Sequence, residues 1–596
     1  MYKHGYLKVA LASPKVYLGK PMENAIEIVN VMNKSLDASI ICFPELSLTG
    51  ARLGDWHKNR EILNEQKLAL NYIVKNSSEQ IVIVGGSFEY LDNLYDVAYV
   101  VQDGSVLGIV PKISTDNEDH IFEEAYQFYD SLVEVELFGE LVPFGNVKFI
   151  NSAYNISFSV EIGEDLDTIN DTQLVFNLNS CGYYLNKNNE FESLVKATSI
   201  KNRNCYLLTS INTSETASNV LYNGQMVGYT VGEKLISKTN TSFTSNVEYV
   251  DVDLDYIKFE RMNKHFVQAE SEYFVEFSLE ETDDYYLTNI PSKEPFVINS
   301  KEDAEEIIDV ICASLYHRLN HIGLNKVVIG VSGGLDSCLA ILMAHRCFTK
   351  YSIPVSNILA YSMPALATGS KSQQIALDLM NGLGVKATVL PIGNEIKSHF
   401  DLINHDENEK NTTYENVQAR YRTLVLMNVS NAEHAIVLGT GDMSEIALGW
   451  STFNGDQMSM YNINAGLPKT AIRSLVAYFA KTMPNLSFVL TDIINATISP
   501  ELVSSSQATE DIIGKYEIND FILHQIFARG ASMERVVYLV TNLFNLDDEV
   551  AKKYYNNFLR RFKQNQFKRI ASPEGVKIFK LSLSPHGALK FYGDVK

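Results

Sequence analysis

The residues with the clearest chemical purpose are Ser332-Gly333-Gly334-Leu335-Asp336-Ser337. They follow the apolar run Val327-Val328-Ile329-Gly330-Val331 and precede the amphipathic stretch Cys338 to His345. A Gly-Gly loop between a parallel strand and a helix N-terminus turns backbone N–H groups outward, Ser332 and Ser337 add hydroxyl donors, and the helix dipole favours an anion there. Such a loop cradles phosphate. It lacks the Gly-Lys-Ser/Thr ending of a Walker A loop and the spacing of a G-x-G-x-x-G dinucleotide turn. Ser-Gly-Gly alone is also compatible with an ordinary capped turn. Asp336 separates the two readings, because a carboxylate beside a phosphate cradle is justified by a metal ion or a cluster of donors.

The chain around this loop has 596 residues, with 50 Lys plus Arg against 72 Asp plus Glu and a net charge of −22. An acidic field of that size repels a phosphate backbone, and the one basic cluster is Arg560, Arg561, Lys563, Lys568 and Arg569, so no nucleic-acid partner is expected. No run approaches the roughly 20 apolar residues that span a bilayer, and Lys3, His4 and Lys8 surround only a short apolar stretch. The expectation is a soluble protein with no membrane partner and no secretion signal. Its six cysteines contain no C-x-x-C pair, which fits a reducing cytoplasm and neither a zinc site nor a disulfide framework.

The elements that must position the loop read as α/β throughout. The first half has short strands at Leu7 to Leu11, Ser39 to Phe43, Ile81 to Val84, Ile156 to Val160, Leu174 to Leu178 and Tyr206 to Ile211. Hairpins are expected at Asp103-Gly104 and at Asn223-Gly224, the latter joining Ser218 to Tyr222 with Met226 to Tyr229. Hairpins mixed with crossover helices predict a layered sandwich. A loose acidic and proline-bearing segment then sets the boundaries: residues 1–275, a linker at 276–300, and residues 301–596. Beyond it, strands at Val327 to Val331, Asn357 to Tyr361, Lys386 to Leu390 and Ala435 to Leu438 alternate with helices, which predicts a doubly wound parallel sheet.

The loop resembles the PP-loop of the ATP pyrophosphatases, which split ATP between its α and β phosphates to make an adenylate. Three further stretches resemble the synthetase half of glutamine-dependent NAD synthetases: Thr413 to Arg420, Leu438-Gly439-Thr440-Gly441-Asp442-Met443-Ser444-Glu445 onward to Trp450, and Asn464-Ala465-Gly466-Leu467-Pro468-Lys469-Thr470. Ile498 to Leu502 and Gln566-Phe567-Lys568-Arg569 extend the likeness. The resemblance implies a doubly wound sheet of the PP-loop type in which ATP amidates deamido-NAD to NAD, releasing AMP and pyrophosphate. It places ATP on Ser332, Gly333, Gly334, Asp336, Ser337, Thr440 and Lys469, with Lys469 reaching phosphate oxygens. It places Mg²⁺ on Asp336 and Glu445, and deamido-NAD against Asn416, Glu445, Trp450 and Lys568. It also implies a homo-oligomer.

In the first half the same resemblance implies a nitrilase-like α/β/β/α sandwich carrying a Glu-Lys-Cys glutaminase. Glu45 falls in Phe43-Pro44-Glu45-Leu46 and Lys112 in Val110-Pro111-Lys112, and their context implies a buried ion pair. The nucleophile stretch reads Val160-Glu161-Ile162-Gly163-Glu164-Asp165-Leu166, with Gly163 in the cysteine position. A glycine cannot form the covalent thioester. Glu118, Cys181 and Lys187 take glutamine-pocket positions. The acidic run Asp116-Asn117-Glu118-Asp119 stands where an aromatic residue is usual, and Asp167 stands in place of a tryptophan. Three functions are compatible with these residues: an ammonia-dependent NAD synthetase, a glutamine-dependent one in which Cys181 has taken over, and a C–N hydrolase or nucleotide-sensing scaffold.

Overall fold

The computed structural model describes residues 2–114, 121–129, 131–164, 166, 170–216, 220–263, 273–366, 369–496, 509–585, 587 and 589–595. They form two units, Met1–Pro291 and Ser292–Lys596, and the division falls inside the segment 276–300. Among the described residues, no helix is long and apolar enough to cross a membrane.

Strand Tyr6–Ser13 shows how the first unit is layered. All eight of its residues are buried, so both faces of the strand are covered. Ala10 and Ala12 face a core shared with Ala25, Ile28, Val29, Leu70 and Ile73 of the helices Pro21–Asn33 and Arg60–Lys75. Leu7, Val9 and Leu11 face the opposite way, onto Phe158, Phe176 and Leu207 of a second sheet. The first sheet has nine strands and the second seven. Helix Lys187–Asn202 closes the outer face of the second through Phe191 and Val195. The result is an α/β/β/α sandwich.

The Asp103-Gly104 hairpin forms, with antiparallel pairing of Asn93–Gln102 and Ser105–Pro111 and positive φ at both turn residues. Among the described residues the Asn223-Gly224 hairpin does not, Ser218 and Asn219 of its expected first strand lying outside them. Met226–Thr230 pairs instead with Cys205–Ser210 and with Glu233–Lys238. Gly224 still turns at φ +54°, but its N–H donates to the carbonyl of Ile211, and the Asn223 carbonyl accepts from the N–H of Asn240. Met226–Thr230 thus has one edge taken by Cys205–Ser210 and the other by the strand that follows it across the Val231-Gly232 turn.

In the second unit five strands lie parallel in the order Lys386–Val389, Ile358–Ser362, Val327–Gly330, Ile436–Gly439 and Tyr461–Asn462. Val327–Gly330 is first in the chain and central in the sheet, with its successors added on either side. Such a reversal opens a crevice at the carboxyl ends of the central strands. Helices Gly393–Leu402 and Thr412–Glu433 cover one face through Ile396, Phe400, Tyr414 and Val417. Helix Leu335–Lys350 packs between Lys301–His321 and Lys469–Thr482. Its apolar residues are buried nearly all round, which anchors the loop at its N-terminus.

Candidate active site

The loop after Val327–Gly330 has the conformation that its glycines permit. Gly333 has φ +90°, and a Cβ there would stand 2.4 Å from the carbonyl oxygen of Ser372, so only glycine fits. Ser332 and Ser337 brace the loop. The Ser332 N–H donates to Ser337 Oγ at 3.2 Å, Ser337 Oγ donates to the Gly334 carbonyl at 3.1 Å, and the Gly334 N–H donates to Ser332 Oγ at 3.2 Å. Their hydroxyls are therefore engaged within the loop.

Asp336, in the first turn of Leu335–Lys350, meets two acidic residues from a second crevice element. Asp442 caps the helix Met443–Leu448 by accepting the Glu445 N–H at 2.8 Å, and Glu445 lies in its first turn. Lys469, the first residue of Lys469–Thr482, reaches all three carboxylates: Asp336 Oδ2 at 2.7 Å, Asp442 Oδ2 at 2.5 Å and Glu445 Oε1 at 3.0 Å. Burial pushes Asp442 well above the usual carboxylate range, with Glu445 adding to it. Glu445 is raised to about 7, first by burial and then by Asp336, against the pull of Lys469. Burial works against the Lys469 charge, but Asp336, Asp442 and Glu445 outweigh it and hold the ammonium well above its ordinary value. Oxygen atoms of the three acids lie within 4.8 Å of one another, and Asp336 Oδ1 is buried without a hydrogen-bond partner. This all-oxygen set suits a hard divalent cation such as Mg²⁺.

Every residue assigned above to ATP, metal or deamido-NAD lines a single cavity of about 1100 Å³ in this unit. Thr440 sits just past Ile436–Gly439, and Asn464 Nδ2 ties its carbonyl to that of Asp336 with bonds of 3.0 and 2.9 Å. Asn416 Oδ1 accepts from Thr452 Oγ1 at 2.8 Å. Trp450 lies under the Arg561 guanidinium, 5.1 Å from its ring centre. The Lys568 ammonium donates to the carbonyls of Gly449 and Ser451 at 2.8 and 2.7 Å, so it braces the Trp450 turn from inside the cavity. Sequence reasoning missed Asp442 and Asn464. Asp442 was legible as the first residue of an Asp-x-x-Glu helix start, whereas nothing local marks Asn464.

In the first unit, Glu45, Lys112 and Gly163 come together from three strand ends. Lys112 Nζ and Glu45 Oε1 are 2.8 Å apart, with the Glu45 side chain 2% exposed. Burial opposes the Glu45 charge, but Lys112 and hydrogen bonds from Asp96 and Ser180 hold its carboxyl below the usual range. Asp96, which sequence reasoning also missed, is pushed well above it by burial and by Glu45. Gly163 has φ +97°, and its carbonyl accepts from Asn177 Nδ2 at 3.1 Å and Asn179 Nδ2 at 3.0 Å. Cys181 is buried, its thiol pushed up to about 12 by burial and by a hydrogen bond to Glu164, which leaves almost no thiolate at neutral pH. The fully buried Lys187 donates to the Cys181 carbonyl, and burial lowers its affinity for a proton. Glu118, with the run 116–119, and Asp167 lie outside the described residues.

Residues 307–572 match the NAD synthase family. A glutamine-dependent NAD(+) synthetase of Mycobacterium tuberculosis is 29% identical over 100% of this chain and 96% of its own. Along its whole length the chain is similar to glutamine-dependent NAD(+) synthetases, and its second unit carries the NAD synthase match. It is accordingly an enzyme of the carbon–nitrogen ligase class, and the family takes ATP as a substrate. A second relative, the glutamine-dependent NAD(+) synthetase of Aquifex aeolicus, is 26% identical over 96% of each chain. The crystal structure of a glutamine-dependent NAD(+) synthetase from Cytophaga hutchinsonii covers 99% of this chain and 97% of its own at 16% identity, with a TM-score of 0.42.

Proposed function

We propose that this protein makes NAD by amidating deamido-NAD with free ammonia at the expense of ATP. The observation that carries the reading is the convergence, in one cavity of about 1100 Å³, of a braced phosphate loop, the Asp336 and Glu445 carboxylates backed by the buried Asp442, and the Asn416, Trp450 and Lys568 wall.

In this reading the Gly333 N–H, the first-turn N–H groups of Leu335–Lys350 and the dipole of that helix receive the ATP phosphates. The nicotinate carboxylate attacks the α-phosphorus, pyrophosphate leaves, and ammonia then displaces AMP from the acyl carbon. Asp336, Asp442 and Glu445 would hold Mg²⁺, which when bound neutralises charge on the phosphate oxygens. Asn416 and Trp450 orient the nicotinate end, with Lys568 keeping the Trp450 turn in place.

The first unit supplies no ammonia in this reading. Glu45 and Lys112 can activate a nucleophile or stabilise an oxyanion, but Gly163 offers nothing to form the acyl intermediate. A takeover by Cys181 is disfavoured by its protonated thiol. The test is product analysis of the full-length protein with ATP, Mg²⁺ and deamido-NAD, supplying ammonium or glutamine. NAD, AMP and pyrophosphate should form with ammonium and not with glutamine. Glutamate release and NAD formation from glutamine, abolished by Cys181→Ser, would instead establish the rewired thiol.

A further inference from the structure

The three acids around Lys469 form a cation site that already contains a cation. An ammonium has three N–H donors, and here each carboxylate takes one contact, at 2.5, 2.7 and 3.0 Å, while the Tyr516 ring covers Nζ at 4.9 Å. The side chain is 2% exposed, so no water shell replaces these contacts. A Mg²⁺ ion bound to the same acids would need their oxygens at about 2.1 Å, in the space that Nζ fills, and would repel the ammonium beside it.

We propose that, while no nucleotide is bound, the Lys469 ammonium holds the divalent-cation position among Asp336, Asp442 and Glu445, and that the metal enters only with the nucleotide phosphates, to which Lys469 then turns. The inference rests on the ATP-dependent reading of this cavity. Lys469 and the phosphate loop line the same cavity, so a displaced ammonium has phosphate oxygens to receive it. The root of the side chain stays fixed, because the Lys469 N–H donates to Ser444 Oγ at 2.8 Å. Only the flexible four-carbon stem has to move. Three carboxylates against one ammonium leave a surplus of negative charge when all are ionised, which a divalent ion can neutralise more fully. Mg²⁺ commonly binds through one or two carboxylates together with substrate phosphates, and the arrangement here enforces that pairing.

The test is Mn²⁺ binding, followed by the paramagnetic resonance signal of the free ion, to the full-length protein without nucleotide and with an α,β-methylene ATP analogue. The wild type without nucleotide should bind Mn²⁺ only in the millimolar range, about the strength of a weak all-protein site. Lys469→Met should bind it about tenfold or more tightly with no nucleotide present, because the resident charge is gone. Lys469→Gln, which keeps a polar partner for the acids, repeats the comparison if the Met variant does not fold. Micromolar Mn²⁺ binding by the nucleotide-free wild type overturns the inference, as does either folded variant binding no more tightly than wild type. None of these titrations contains deamido-NAD or ammonia, so failure of the synthetase reading, seen as absence of NAD and AMP in the product assay, is a separate result.

Discussion

A Cβ on residue 163 would stand 2.6 Å from Lys112 Cε and 3.0 Å from Lys112 Nζ. The lysine stem therefore occupies the space through which a nucleophile would be attached. Glu45 holds that stem by the 2.8 Å ion pair, so moving it means disturbing a buried charge pair.

Placing a thiol at residue 163 should accordingly not confer glutamine use. Gly163→Cys is expected to leave glutamate release near background, and Gly163→Ala should cost about 1–3 kcal/mol of stability because φ +97° strains any residue with a Cβ. Glutamate release and chemical denaturation check the two halves of this prediction. Full glutamine-dependent NAD synthesis by Gly163→Cys would show that Lys112 yields easily and that residue 163 alone decides glutamine use.

Asp336→Asn should abolish pyrophosphate release while leaving the protein folded. Its carboxylate is the one member of the acidic trio that also sits in the phosphate loop, and loss of such a group costs about a hundredfold or more in rate. A coupled pyrophosphate assay with circular dichroism checks this. Near-normal AMP formation would remove Asp336 from the chemistry.

Asp442 permits a cleaner separation of charge from architecture. Asp442→Asn keeps an oxygen to cap the Glu445 N–H, so stability should hold while pyrophosphate release falls about tenfold or more. Asp442→Ala removes the cap as well and should cost about 1 kcal/mol in addition. Equal activity losses with equal stability losses in the two variants would reduce Asp442 to a structural residue.

Glu215 should make the first unit less stable as pH rises. Its carboxyl is raised to about 7, chiefly by burial, against the pull of the Arg52 and Ala51 N–H groups, while Arg52 lowers it and Glu45 raises it slightly. The native state thus holds a proton that the unfolded chain releases near its ordinary carboxylate value. The contribution is complete at acid pH and is lost as pH climbs to about 7, at most about 3 kcal/mol. Glu215→Gln, whose amide oxygen can still accept from Ala51 and Arg52, should flatten melting temperature against pH over that window. An unchanged slope would rule out Glu215 as its source.

Much of this protein was written locally. The strand-loop-helix around Ser332 to Ser337, the alternating elements after residue 300 and the strand ends carrying Glu45, Lys112 and Gly163 all follow from short-range patterns, because apolar periodicity and glycine conformations act within a few residues. Tertiary structure decided how those pieces meet. Gly224 took a positive φ, yet among the described residues Asn223-Gly224 formed no hairpin, since Cys205–Ser210 and Glu233–Lys238 hold the two edges of Met226–Thr230. Asp96 reads as one carboxylate in an apolar strand until Glu45, distant in sequence, arrives beside it and Lys112 across the hairpin. Lys469 reads as a phosphate ligand until folding carries it onto Asp336, 133 positions away, and onto Asp442 and Glu445. Sequence spacing sets which charges a segment carries. Which opposite charges neutralise them in a buried site depends on distances that only the assembled sheet and helices create.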